Sequence, residues 1–216
     1  EASPLGAVSS FFYGTIQSAL FTLLAVYATS MNFTILEISV VTFLLAVSGA
    51  IAQFPIGKLS DIYDRRKVIV ISTFGAAIFA ILAILVSRQM YLPEGLATSK
   101  TWFYIFFILF SFCSLPMFSL ILAHTNDFIS KDKFVAAGAG LQFAFGLGAI
   151  SGPFLCSIFM DLVGSNGFFV FLFFFHSVIG FFGIYRMKVR QSKDNPDSQF
   201  VAMPQTITPA GIELNP

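Results

Sequence analysis

Charge is what this sequence has least of. Only 11% of its 216 residues are Asp, Glu, Lys or Arg, against 56% hydrophobic, and the mean hydropathy is +0.84. A soluble domain carries about 25% charged residues. A water-soluble fold of this length could not hide so much apolar surface, so lipid must cover part of it. Cysteine is scarce too: Cys113 and Cys156 both fall inside apolar runs, where buried free thiols are expected rather than a disulfide or a metal site. The net charge of +1 carries no electrostatic footprint for nucleic acid. No metal-ligand spacing, phosphate-binding loop, or nucleophile with a base in reach is present, so neither a cofactor nor an enzyme is expected. No basic segment with a cleavage site precedes the first apolar run, and residue 1 is Glu. A removed start or a piece of a longer protein is the expectation.

What is abundant is long apolar runs. Six stretches have the roughly 20 residues that cross a bilayer: about 5–28, 37–57, 68–87, 101–125, 134–160 and 166–187. They lack two-residue alternation, which favours helices over a membrane barrel. The 29 phenylalanines suit lipid-facing helices better than a tightly packed core. Residues 188–216, with four prolines and no amphipathic period, are expected as a disordered cytoplasmic tail after a six-span bundle over 1–187.

The Lys and Arg residues set a direction. Lys58, Arg65, Arg66, Lys67, Lys131, Lys133, Arg186, Lys188, Arg190 and Lys193 fall on one side of the alternating spans, and only Arg88 and Lys100 on the other. Both termini and the 57–67 stretch are therefore expected in the cytoplasm. The protein is expected in the plasma membrane, a bacterial inner membrane.

No Asp, Glu, Lys or Arg sits mid-span; Glu37 and Asp161 lie at span ends. Intramembrane carboxylates are the usual proton-coupling groups, so any coupling acid lies outside these spans. Polar candidates for a translocation path are Tyr13, Gln17, Gln53, His124 and Gln142. Tyr13, Gln17, Leu20, Leu24 and Tyr27 share one helical face. Helix packing accounts for the same faces, since small and polar residues join helices in lipid. His124, near the cytoplasmic end of span four, fits a structural role well, and His176 a helix-helix hydrogen bond. Pro116, and Gly148 with Gly152 and Pro153, mark a hinge or a fixed, closely packed bend.

Two short passages echo each other: Gly49-Ala50-Ile51 ahead of Pro55 and Asp61, and Gly148-Ala149-Ile150 ahead of Pro153 and Asp161. The offset is about a hundred residues, or three spans, which implies an inverted repeat.

Gly57, Leu59, Ser60, Asp61, Arg65 and Arg66, between spans two and three, resemble the signature cytoplasmic loop of the major facilitator superfamily. Ile62 stands where that pattern has Arg and Asp64 where it has Gly, a position whose left-handed turn Asp tolerates. The resemblance implies an all-α integral membrane fold: six transmembrane helices as a 3+3 inverted repeat, half of a twelve-helix transporter. It implies transport of a small solute by alternating access, with the N-terminal half of the same polypeptide and membrane lipid as partners. Gly57, Leu59, Asp61, Arg65 and Arg66 become a gating loop, in which Asp61 docks on the facing half. Spans one, two, four and five would border the cavity, with three and six facing lipid. Tyr185-Arg186-Met187 and Phe200-Val-Ala-Met-Pro look like the C-terminal end of the YcaD-like bacterial branch. A six-span homodimer, or a non-transporting scaffold or receptor subunit, is the alternative.

Overall fold

The computed structural model describes residues 3–89 and 96–189. The described residues form helices only: α1 (Pro4–Ser30), α2 (Ile35–Ile62), α3 (Arg65–Gln89), α4 (Leu96–Ser114), α5 (Met117–Asn126), α6 (Phe134–Val163) and α7 (Gly167–Val189), with a single 3-10 turn at Lys131–Lys133. Helices α4 and α5 are one span broken in the middle, so six segments are long and apolar enough to cross a membrane. Their number is the expected six. The expected tail lies, from residue 190, outside the described residues.

Local chemistry fixes the ends. Ser3 caps α1, its Oγ accepting from the Gly6 N–H at 3.1 Å, and Pro4 takes the first helical position where no donor is needed. Thr34 and Glu37 form a reciprocal capping box on α2. Asn32 supplies a left-handed residue (φ 59°) in the tight link before it. Glu37 also accepts from Lys100 Nζ at 2.6 Å, tying the start of α2 to α4. Span four breaks at Leu115–Pro116 because Pro116 has no N–H for the turn behind it. Pro55 and Pro153 are carried inside continuous helices.

The packing has a repeat written into it. Span one lies along span five and span two along span four; span three packs on span four and span six on span one; spans three and six pack on each other. Exchanging spans 1–3 with 4–6 leaves this scheme unchanged, as an inverted repeat requires. The sequence echo falls on the same symmetry. A Cβ at Gly49 would collide with Leu115 of span four, and one at Gly148 with the Phe11 backbone of span one.

One expectation is corrected. Phenylalanine does not mainly face lipid: Phe103, Phe107, Phe110, Phe168, Phe169 and Phe171 are fully buried. All but Phe171 form one ring cluster with Tyr27, which lies 5.1 Å from both Phe168 and Phe169; Phe171 packs against Phe159 and Phe175 instead. Offset and edge-on rings fill interhelical space that aliphatic side chains would leave open. Coverage by neighbouring helices differs from span to span. Helix α7 is more than half buried along its apolar window, whereas α2 and α6 are the least covered. An apolar surface all round marks a buried helix as readily as a lipid-facing one.

Candidate functional site

The stretch 57–67 is not a loop. Helix α2 runs on through Ile62, only Tyr63 and Asp64 link it to α3, and α3 begins at Arg65. No Gly or Pro follows Gly57 to stop the helix, so it continues through the charged residues to Ile62. Ser60 bonds back to the Gly57 carbonyl at 2.7 Å. Asp64 does not take the left-handed turn; Asn32 alone among the described non-glycine residues has positive φ. Instead Asp64 caps α3, its Oδ1 accepting from the Arg66 N–H at 3.0 Å while its Oδ2 accepts from Arg66 Nη2 at 2.7 Å.

Arg65 makes the wider connection. Its side chain is buried, with Nη2 3.0 Å from Asp61 Oδ1 and Nη1 3.0 Å from Asp127 Oδ1. One guanidinium therefore joins the end of span two, the start of span three and the end of span four. A planar fork with two anions in reach suits charge-assisted bonds in a site little exposed to water. Sequence reading missed Asp127. The available signal was that arginines starting a helix at a packed bundle end need nearby anions, and Asp127 closes a span at that end. Gly57 is buried, while Leu59 points outward at 45% exposure.

The path candidates are not brought together. Tyr13 is wholly enclosed, its hydroxyl donating to the Leu115 carbonyl at 3.1 Å. Gln17 is 5% exposed, with Oε1 lacking a hydrogen-bond partner. Gln53 and Gln142 are half-buried on α2 and α6, which are not packing partners. His124 is buried at the far end of α5, edge-on to Phe128 at 5.1 Å.

The break in span four is held from two sides. Tyr13 reaches Leu115 from α1. From α7, His176 Nε2 lies 2.9 Å from Ser114 Oγ, and its Nδ1 lies 2.8 Å from the Leu172 carbonyl. A carbonyl only accepts, so Nδ1 carries the proton and Nε2 accepts from the serine hydroxyl. Tyr13→Phe should lower stability by about 0.6–1.5 kcal/mol, the net value of one such bond. Thermal unfolding checks this, and an unchanged midpoint would show the bond to be dispensable.

Gly148 and Gly152 are contact points between helices. A Cβ at Gly148 would meet the Phe11 carbonyl, and one at Gly152 the Thr15 carbonyl and Ser18 Oγ. Gly14 answers from α1, where a Cβ would meet the Phe145 carbonyl. Ser10 Oγ donates to the Leu141 carbonyl at 2.7 Å in the same seam. Gly6, Ser10, Gly14 and Ser18, four residues apart, are the small-residue stripe that sequence reading passed over. Among the described residues no three His, Cys, Asp or Glu side chains gather as a metal site.

Comparison with known proteins gives this arrangement a family. An uncharacterized MFS-type transporter of Yersinia enterocolitica, YE1530, is 26% identical over 203 residues, covering 94% of this chain and 48% of that protein. The uncharacterized MFS-type transporter YfkF of Bacillus subtilis is 27% identical over 168 residues, 76% of this chain and 39% of that protein. A further MFS-type transporter, from Yersinia pestis, is 25% identical over 203 residues. The chain thus spans about half the length of the curated relatives it matches. No solved structure matches it significantly. The Major Facilitator Superfamily profile matches residues 6–212, nearly the whole sequence, and with six apolar helices in a symmetric bundle this multi-pass membrane chain belongs to that superfamily.

Proposed function

We propose that this chain is the C-terminal half of a secondary transporter, moving a small solute by alternating access against an N-terminal half of the same polypeptide. The observation that carries the reading is that a chain about half the length of its relatives leaves two helices uncovered. On α6, Phe143, Leu147, Ile150 and Phe154 are exposed at spacings of four, three and four. On α2, Phe43, Ile51 and Phe54 are exposed. These faces suit a facing half as well as lipid, and the three-plus-three symmetry is the architecture in which such halves rock.

In this reading the Arg65 network holds Asp61 at the cytoplasmic end of α2, where its part-exposed carboxylate reaches the facing half when that side closes. Gly57 and Leu59 shape the contact, and Arg66 is held by Asp64. Gln53 and Gln142, half-buried on the uncovered helices, are the path residues; Tyr13 and Gln17 stand behind them, and His124 belongs to the cytoplasmic end. The uncharged path favours a neutral or amphipathic solute. The Lys and Arg bias supports cytoplasmic termini, with residues 188–216 as a tail in the cytoplasm and the bundle in a bacterial inner membrane. The YcaD-like assignment leans partly on Phe200–Pro204, outside the described residues.

Asp61→Asn in the full-length protein tests the gate. Solute uptake should fall about tenfold, as a shift of roughly 1.4 kcal/mol in a two-state balance would give, with the amount in the membrane unchanged. Wild-type uptake by that variant would remove Asp61 from the mechanism.

A further inference from the structure

The cytoplasmic end of the bundle holds a feature that gating does not use. Ser3, Pro4, Leu5, Arg66, His124, Phe128 and Arg186 line a half-open depression between the ends of four helices. The start of α1 and the start of α3 point their N-termini to this end; α5 and α7 finish there. Arg66 is 5% exposed and clamped by Asp64, which fixes where its guanidinium stands. Arg186 is half-buried in the last turn of α7 and makes no ion pair among the described residues. His124 is 4% exposed and sets its imidazole in the lining. The first turn of α1 adds the positive end of a 27-residue helix.

The depression thus gathers two guanidinium groups, an imidazole and a helix N-terminus around one opening; the Asp64 carboxylate meets the Arg66 charge, and the Arg186 charge is met by no carboxylate among the described residues. Planar guanidinium forks match phosphate oxygens, and a low-dielectric rim strengthens the pairing. Its level in the bundle matters as much as its lining. Lys67 and Lys188, both exposed, lie at the same end, the one the basic residues assign to the inner leaflet. Basic pockets between helix ends at that level meet lipid headgroups. We propose that this depression binds a phosphate group at the membrane-cytosol boundary, with Arg186 on its oxygens and Arg66 and His124 in its wall. Bound there, the phosphate pins the ends of spans one, three, four and six together. The proposal does not depend on which solute is moved, or on transport at all.

The test uses the full-length protein in two arms. In nanodiscs of phosphatidylcholine with phosphatidylglycerol, native mass spectrometry counts the anionic lipid retained on release. In nanodiscs of phosphatidylcholine alone, inorganic phosphate is titrated and the melting temperature followed. Wild type should retain phosphatidylglycerol, and Arg186→Gln should weaken retention about tenfold or more, the effect of losing one charged hydrogen bond. Arg186→Lys should keep most of it, His124→Gln should lower it in part, and Lys188→Gln, on the same helix but outside the depression, should leave it unchanged. A phosphate-dependent rise in melting temperature that Arg186→Gln abolishes makes free phosphate a sufficient ligand; its absence, with retention lost in the first arm, assigns the group to lipid. Arg186→Gln behaving as wild type in both arms overturns the proposal, as does an equal loss on Lys188→Gln.

Discussion

Arg65→Gln should cost about 3–5 kcal/mol of stability, the usual effect of removing one partner from a buried ion pair. The melting temperature of the full-length protein in detergent should fall on the order of 10 °C. The reason lies in what would be left behind. The Asp127 side chain is only 7% exposed and its charge is met by Arg65 Nη1 at 3.0 Å. Glutamine is too short to reach both Asp127 and Asp61 and brings no charge, so a carboxylate would stay buried without its cation. Adding Asp127→Asn should recover most of the loss, because the variant then buries two neutral amides. The pair Lys100–Glu37 is the contrast: at 2.6 Å it is shorter, yet its side chains are 18% and 27% exposed. Water screens it, and its removal should cost under about 1 kcal/mol. If Arg65→Gln melts within a degree or two of wild type, the three-span tie has no structural weight and Arg65 acts, if at all, only in gating.

That prediction rests on a residue the sequence did not single out, and the reason is general to membrane proteins. The six spans were legible because lipid thickness and the cost of burying charge act on every residue of a run. Which side of a span faces its neighbours was not legible, because the surroundings are as apolar as the interior. In a soluble protein the phenylalanines of α7 would have shown a polar face opposite them. Here Phe168, Phe169 and Phe171 point inward and Phe174 and Phe181 outward with nothing in the composition to separate them. The end of α2 was misjudged because charge was taken to stop the helix, whereas charge stops only the lipid. Asp127 went unpaired because its partner is 62 residues away in sequence. The Gly49 and Gly148 echo was legible, and its meaning follows from the packing: each glycine receives the span that the repeat places against it.

The second large effect follows from the seam between α1 and α6. Gly148→Ala should destabilise the protein by about 2–3 kcal/mol, at the upper end of overpacking costs. The added methyl would fall on the Phe11 carbonyl, with the Thr15 nitrogen 2.9 Å away. Both are backbone atoms inside a continuous helix, so no rotamer change relieves the clash and α1 must move as a body. Gly14→Ala drives the same two helices apart from the other side, against the Phe145 carbonyl. The double variant should therefore cost less than the sum of the two, because one displacement accommodates both methyls. Gly140 and Gly146 supply the control on the same helix. Nothing lies within 4 Å of a Cβ at either, so Gly146→Ala should be neutral or raise stability by up to about 1 kcal/mol through helix propensity alone. Thermal unfolding of the four variants separates the ideas: equal effects at 146 and 148 would mean that glycine serves α6 only by loosening its own helix. A loss confined to Gly148 and Gly14 would mean that spans one and five are locked backbone to backbone and must move as one piece. Pro153, one residue beyond the Gly152 contact on α1, would then be carried along with that piece rather than act as a hinge within it.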